Sequence, residues 1–157
     1  MDKREFKEYL ELKRKQRALV ESIRDLKGKL AAFDYQETAE VVTRGRKRHR
    51  VLGRVVVRGY DYKKYTDIKN KLLRKQLAAA QFESDDFAAL EWDAVDFMTC
   101  GFPFEEHEIR LILFHLVPYP GELIKSWDEV AQEMNKKHGM RVKADALRMK
   151  LSRFLEA

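Results

Sequence analysis

The sequence predicts a mainly α-helical protein that ends in a helix-turn-helix domain. Apolar residues recur every three or four positions along most of the 157 residues, which is the spacing of amphipathic helices. Only 7 glycines and 3 prolines interrupt that pattern, and 45% hydrophobic residues suffice for a buried core. We predict two parts, a helical oligomerisation segment over 1–82 with a basic loop at 43–60, and an acidic helix with the helix-turn-helix domain over 83–157.

The N-terminal part is predicted to form two helices. The first runs from Asp2 to about Thr43 and has a heptad pattern, whose core positions form a seam along the helix. Gln16 lies in this seam and is a candidate for setting the register in which the helices pair. The second runs from about Lys63 to Phe82. The pair fits either an intramolecular hairpin or a homodimer held together by these helices, and we favour the hairpin because short isolated helices are marginal in water. The heptad positions are Tyr9, Leu12, Gln16, Leu19, Ile23, Leu26, Leu30 and Phe33.

The basic loop between these helices is a candidate for contact with a phosphate backbone. The stretch Val51 to Val57, broken at Gly53-Arg54, is consistent with a small β-hairpin, and a disordered, solvated loop is the alternative. Arginine suits phosphate through its planar fork of donors. The residues that we assign to this contact are Arg44, Arg46, Lys47, Arg48 and Arg50.

Charge is distributed unevenly along the chain. Residues 1–75 hold 23 Lys or Arg against 11 Asp or Glu, whereas 76–109 hold no Lys or Arg and 9 Asp or Glu. The acidic stretch includes a predicted helix from Asp85 to about Cys100, and a basic region beside an acidic one gives the molecule a directed electrostatic field. On this helix we expect Phe87, Leu90, Ala94, Phe97 and Met98 to face inward and Asp86, Glu91, Asp93 and Asp96 to face outward.

The last third of the chain, from about Glu105 to Leu155, carries the helix-turn-helix pattern. Ser126 and Glu129 form a capping box that starts a helix at Trp127. Its buried face holds Trp127, Val130, Ala131 and Met134, and Gly139 is suited to end the helix. A final helix then places Ala144, Leu147, Leu151, Phe154 and Leu155 inward.

Two short helices joined by a glycine-containing turn, the second one basic, are the parts of a major-groove reader. An ordinary helical hairpin within an all-α core has the same apolar spacing. Under the DNA-binding interpretation, the last helix reads the bases with its outer face. The candidate contacts are Lys143, Asp145, Ala146, Arg148, Met149, Lys150, Ser152 and Arg153.

Three stretches resemble the DNA-binding region four of bacterial sigma factors: Glu108 to Leu113, Ser126 to Ala131, and Ala146 to Leu155. More narrowly, the chain resembles the small phage-encoded regulators of the ArpU and RinA type. This resemblance implies an activator of late phage genes that contacts double-stranded DNA and host RNA polymerase. Two departures from the pattern are the longer connector from Val117 to Lys125 and the extended turn after Met134.

The sequence argues against catalysis, metal binding and membrane insertion. Cys100, His107, His115 and His138 lack zinc-site spacing, and no glycine-rich phosphate loop precedes a helix. We therefore expect no enzyme activity and no cofactor. A single cysteine precludes an internal disulfide, and no run approaches the roughly 20 apolar residues that span a bilayer, so we expect a cytoplasmic, nucleoid-associated protein.

These inferences lead to one functional hypothesis and two alternatives. The hypothesis is a sequence-specific DNA-binding transcription regulator, with the acidic helix as a candidate surface for RNA polymerase. The first alternative is a DNA-packaging protein like a small terminase subunit, or a structural phage protein, that binds DNA as an oligomer. The second is a protein-interaction module that binds no nucleic acid.

Overall fold

The computed structural model describes residues 1–33, 40–44, 51–56, 61–101, 107–117 and 119–157. It confirms the mainly α-helical class, with two short strands in the N-terminal half. A 3₁₀ turn follows the second helix at Ala80–Glu83, and a π-helical turn follows the third at Phe97–Gly101. The elements are α1 Lys3–Phe33, β1 Glu40–Arg44, β2 Val51–Val56, α2 Tyr62–Ala79, α3 Asp85–Asp96, α4 His107–Leu116, α5 Trp127–His138 and α6 Ala144–Glu156.

The first helix is shorter than predicted. It ends at Phe33, and residues 40–43, which the heptad pattern assigns to the same helix, belong to strand β1. The run Val41-Val42-Thr43 explains the difference, because β-branched side chains are restricted in a helix and favoured in a strand.

Strands β1 and β2 form an antiparallel pair in which Glu40 lies opposite Val56 and Arg44 opposite Val51. The β-structure was predicted as one of two options, but its turn was wrongly placed at Gly53-Arg54. These two residues lie inside β2, because the upstream β-branched segment supplies the pairing strand. The basic residues Arg46, Lys47, Arg48 and Arg50 fall outside the described residues, and Arg44 is the last residue of β1.

The chain divides into two compact units. Unit 1 combines Met1–Ala18 with Ala80–Ala157, and unit 2 is Leu19–Ala79. Our predicted boundary after residue 82 lies close to the start of the second part of unit 1 at Ala80. The first 18 residues, however, belong with the C-terminal part and not with the rest of the N-terminal segment.

Within unit 1, the start of α1 buries a face that the heptad pattern did not predict. Phe6, Tyr9, Leu10 and Lys13 are each at most 2% exposed, and their spacing is that of a single helical stripe. Only Tyr9 among these four was assigned to the seam. Gln16 is half-buried, and its Oε1 has no hydrogen-bond partner in the part of the chain that the structure describes.

A buried ion pair joins α1 to α3. Lys13 Nζ donates to Glu91 Oε1 at 2.6 Å and to the Glu122 carbonyl at 2.5 Å, while Glu91 Oε2 accepts the Gly121 amide at 2.9 Å. Glu91 is therefore not on the outer face of α3, which corrects its predicted position. Burial, with the nearby Glu91 charge, raises the pKa of the Tyr9 hydroxyl.

The core of unit 1 is centred on α4, α5 and α6, which pack pairwise against one another. The residues from α4 that reach this core include Ile109, Ile112, Leu113 and Leu116, as the apolar spacing predicts. Phe6 of α1 stacks at a tilt on Phe97, with ring centroids 5.1 Å apart. Helices α1 and α3 therefore contribute side chains to the core that α4, α5 and α6 form.

Unit 2 holds its own smaller set of contacts. Leu26, Phe33 and Leu72 are buried there, and the Phe33 and Tyr65 rings meet edge to face at 6.3 Å. The second half of α1 thus contacts α2 within one chain, in agreement with the favoured hairpin.

Candidate nucleic-acid interface

Helix α5 begins at the predicted capping box. The Ser126 amide donates to Glu129 Oε2 at 2.6 Å, and the Glu129 amide donates to Ser126 Oγ at 3.3 Å. Both bonds satisfy amides that an uncapped helix end would leave unpaired. The confirmed box fixes the first turn of α5.

An arginine of α1 strengthens this cap. Arg17 donates from both terminal nitrogens to Glu129, at 2.7 and 3.3 Å, and also donates to the Ile124 carbonyl at 2.8 Å. The Arg17 guanidinium and the Ser126 amide lower the pKa of the Glu129 carboxyl to about 2. The start of α5 is therefore joined to the middle of α1.

The inner face of α5 matches the prediction at three of four positions. Val130, Ala131 and Met134 are buried. Trp127 is only half-buried, and the guanidinium of Arg14 lies 5.8 Å from its ring. As the first residue of the helix, Trp127 packs at the margin of the core and not within it.

The turn between α5 and α6, residues 139–143, is fixed by two residues. Gly139 caps α5 at φ 61°, in the left-handed region that glycine adopts without a Cβ penalty. Asn135 spans the turn, accepting the Val142 amide at 2.8 Å and donating to the Val142 carbonyl at 3.0 Å. The sequence predicts the role of Gly139 but not that of Asn135. The available signal for Asn135 was its position, an amide side chain in the last turn of α5 before the extended turn.

Helix α6 presents its apolar residues inward, as predicted. Leu147 and Leu151 are each 1% exposed, and Ala144, Phe154 and Leu155 pack around them. Lys3 of α1 donates to the Phe154 carbonyl at 3.3 Å and lies 4.5 Å from the Phe154 ring centre. The C-terminal end of α6 is thereby held against α1.

The predicted reading face of α6 is mostly exposed. Arg148 pairs with Asp145 at 3.3 Å, and the Ser152 hydroxyl donates to Glu156 at 3.0 Å. The ammonium of Lys150 pairs with Glu108 of α4, so this residue also joins two helices. The candidates that are exposed on this face or at its start are Lys143, Asp145, Ala146, Arg148, Met149 and Arg153.

Further basic residues surround the turn, and sequence analysis overlooked them. Between residues 136 and 153 the chain holds seven Lys or Arg and a single acidic residue, Asp145. The exposed residues that sequence analysis overlooked are Lys136, Lys137 and Arg141, which lie close to the predicted contact Lys143. The local density of positive charge over this stretch was the signal for them.

Acidic residues line the exposed side of α3. Asp86, Asp93 and Asp96 are exposed as predicted, and Trp92 among them is 60% exposed. Trp92 was not among the predicted surface residues. An exposed indole with carboxylates around it offers both an apolar contact and a charged one.

No protein-family model, curated protein or solved structure matches this sequence significantly. Within the described ranges, no three or more His, Cys, Asp or Glu side chains are grouped to hold a metal ion. Within the same ranges, no helix combines the length and apolarity needed to cross a membrane.

Proposed function

We propose that the chain is a sequence-specific regulator of transcription that binds double-stranded DNA, with α6 as the helix that enters the major groove. The proposal rests on the charge of residues 136–153, which span the end of α5, the turn and most of α6. Six exposed Lys or Arg lie there against one acidic residue, and a seventh basic residue, Lys150, pairs with Glu108. Leu147 and Leu151 hold the opposite face of α6 in the core.

Three features give this surface the properties of a DNA reader. A positive patch raises the local concentration of a polyanion, and lysines and arginines neutralise phosphates. The capping box and the Asn135 bonds fix α5 and the turn, so that α6 meets a groove in one orientation. Arg148 and Arg153 project from the exposed face, and arginine pairs well with guanine in the major groove.

The resemblance to phage regulators extends the proposal to activation of late phage genes in the bacterial cytoplasm. Activation requires contact with host RNA polymerase. The exposed side of α3, with Trp92 and its surrounding aspartates, is the surface that we assign to this contact. A basic polymerase surface is its complement, because opposite charges steer association.

A selection experiment tests the proposal. The full chain is incubated with random DNA fragments, bound fragments are recovered and sequenced, and affinity for the enriched site is measured by fluorescence anisotropy. We expect Arg148→Ala and Arg153→Ala to weaken binding, by about 1–3 kcal/mol where the side chain reads a base. Arg24→Ala, an exposed arginine of α1 in unit 2, is the charge-matched control and should bind as the unaltered chain does.

The outcomes separate the hypothesis from its alternatives. Enrichment of one motif, with loss of affinity in the α6 variants, supports the regulator. Failure to enrich any sequence would exclude a sequence-specific regulator. Absence of DNA binding even at low salt would favour a protein-interaction module. DNA binding by a large ring, measured by light scattering, favours a packaging protein, whereas a monomer or dimer favours regulation.

A further inference from the structure

The side chain of His115 on α4 is almost completely enclosed, and both of its ring nitrogens have partners. Only 1% of the side chain is exposed. Nδ1 lies 3.0 Å from Glu133 Oε2, and Nε2 lies 3.0 Å from Nε2 of His138, the last residue of α5. Neither the capping box nor the proposed reading face of α6 involves this arrangement.

The partners determine where the hydrogens lie. Lys125 donates to Glu133 Oε1 at 2.6 Å, and this bond lowers the pKa of the Glu133 carboxyl. An ionised carboxylate only accepts, so His115 must carry a hydrogen on Nδ1. Burial lowers the pKa of His115, so its ring is neutral near pH 7 and its Nε2 accepts. His138 must then donate from Nε2.

The two rings face each other through these nitrogens. Their centroids are 5.2 Å apart although the Nε2 atoms are 3.0 Å apart, so the nitrogens are the near points of rings placed end to end. A separation of 3.0 Å fits one hydrogen between two nitrogens. Two hydrogens pointing at each other across that distance would repel.

We propose that His115 and His138 share a single proton between their Nε2 atoms, and that a second proton separates the rings and releases the end of α5 from α4. Because His115 Nδ1 already carries the hydrogen that Glu133 accepts, a proton added to the His115 ring has no site except Nε2. Nε2 can hold that proton only when its contact with His138 opens.

The charges around His115 act on its protonation in both directions. Among the described residues, the charged groups that line the adjoining cavity of about 630 Å³ are Arg110 on α4, Glu122 and Lys125 on the connector, and Glu133 and Lys137 on α5. Lys125 and Lys137 both lie within 4 Å of Glu133, at 2.6 and 3.7 Å. Burial is the largest cause of the lowered pKa of His115. The hydrogen bond and the charge of Glu133 raise that pKa, and the positive charge of Lys137 lowers it.

The sign of the pH dependence follows from the lowered pKa of His115. The stability that the neutral His115 ring contributes is fully present above pH 6.5, the ordinary histidine pKa. This contribution is lost as the pH falls below 6.5 toward the lower pKa of the folded state. His138 immediately precedes Gly139, so acid loosens the junction between α5 and the turn.

Nuclear magnetic resonance of the full chain tests this inference without any DNA. Nitrogen-15 spectra of the histidine rings identify the protonated nitrogen at each pH between about 8 and 4. At pH 7 we expect a hydrogen on Nδ1 of His115 and on Nε2 of His138. On acidification, protonation of His115 should coincide with a shift of the Gly139 amide signal.

The variant His138→Gln provides the decisive comparison. A glutamine side chain can donate through its amide nitrogen or accept through its oxygen, so His115 can gain a proton without losing its partner. The midpoint of His115 should therefore rise by about half a pH unit or more, an effect that burial alone would not produce. His107→Gln, at the exposed first residue of α4, is the matched control and should leave the midpoint unchanged.

Two results would overturn the inference. One is a hydrogen on Nε2 of His115 at pH 7. The other is an identical His115 midpoint in the unaltered chain and in His138→Gln.

Discussion

Arg17 holds Glu129 through both terminal nitrogens of its guanidinium, at 2.7 and 3.3 Å, although 112 residues separate the two in the chain. The same carboxylate accepts the Ser126 amide and so caps α5. One side chain from α1 therefore supports the first turn of the helix that precedes the proposed reading helix.

Arg17→Ala should lower stability at neutral pH and change its acid dependence. The folded-state pKa of Glu129 is lowered from 4.5 to about 2, so its contribution is present above 4.5 and is lost as the pH falls toward 2. Because 48% of the Glu129 side chain is exposed, we expect a modest loss, on the order of 1 kcal/mol. Chemical denaturation at pH 7 and pH 3 measures it.

The difference between the unaltered chain and Arg17→Ala should shrink from pH 7 to pH 3. Arg24→Ala removes an exposed arginine from the same helix and should have little effect at either pH. If Arg17→Ala reduces stability equally at both pH values, the Ile124 carbonyl and not the Glu129 carboxylate is the partner through which Arg17 stabilises the fold.

Asn135→Ala should loosen the turn between α5 and α6. It removes both bonds to Val142 and leaves a partly buried amide and carbonyl without their partner, at a cost of about 1–3 kcal/mol. Urea denaturation gives this loss, and faster hydrogen exchange at the Val142 amide locates it. Asn70→Ala, exposed on α2, is the matched control. Unchanged exchange at Val142 would contradict the assigned role.

Lys13→Met should destabilise unit 1 strongly. Lys13 and Glu91 are buried, with side chains 1% and 6% exposed, and removal of one partner leaves an uncompensated charge, which costs about 3–5 kcal/mol. The double variant Lys13→Met with Glu91→Leu removes both charges. Its loss, measured by thermal denaturation, should be smaller than the sum of the two single losses.

Lys15→Met, an exposed position on the same helix, controls for helix propensity in that experiment. Strict additivity of the two single losses would mean that Lys13 and Glu91 do not depend on each other.

Replacement of the five basic loop residues by serine tests whether the loop binds phosphate. Removal of each phosphate-binding side chain should make the slope of log affinity against log salt shallower by about 0.9, up to about 4 in all. Preference for the selected site should survive, because phosphate contacts position a protein and base contacts specify. The residues are Arg44, Arg46, Lys47, Arg48 and Arg50.

A slope change of less than about one unit would exclude the loop from the DNA contact. Loss of sequence preference would instead place base readout in the loop. Anisotropy titrations at several salt concentrations distinguish these results.

The parts of the fold that sequence analysis predicted well depend on local chemistry. The capping box needs only Ser126 and Glu129 three residues apart, and Gly139 needs only its missing Cβ. The inner face of α6 follows from helical spacing around Leu147 and Leu151. Each of these features is determined within a few residues of the sequence.

The parts that were missed depend on distant partners. Lys13 is buried because Glu91 and the Glu122 carbonyl lie beside it, and nothing near Lys13 in the sequence indicates either one. The pairing of Lys150 with Glu108, 42 residues earlier, was not predicted either. Periodicity identifies the face of a helix, but it does not identify the element that covers that face.

Unit 1 combines residues 1–18 with residues 80–157, so its two parts can pack together only after the second part has been synthesised. Lys3 contacts Phe154 and Lys7 pairs with Glu156, so the start of α1 meets partners about 150 residues later. The ribosome must therefore produce α6 before Lys3 and Lys7 can meet these partners, whereas unit 2 is contiguous and complete once Ala79 has emerged. Phe6 packs on Phe97, so its ring stays uncovered until that part of the chain has been made.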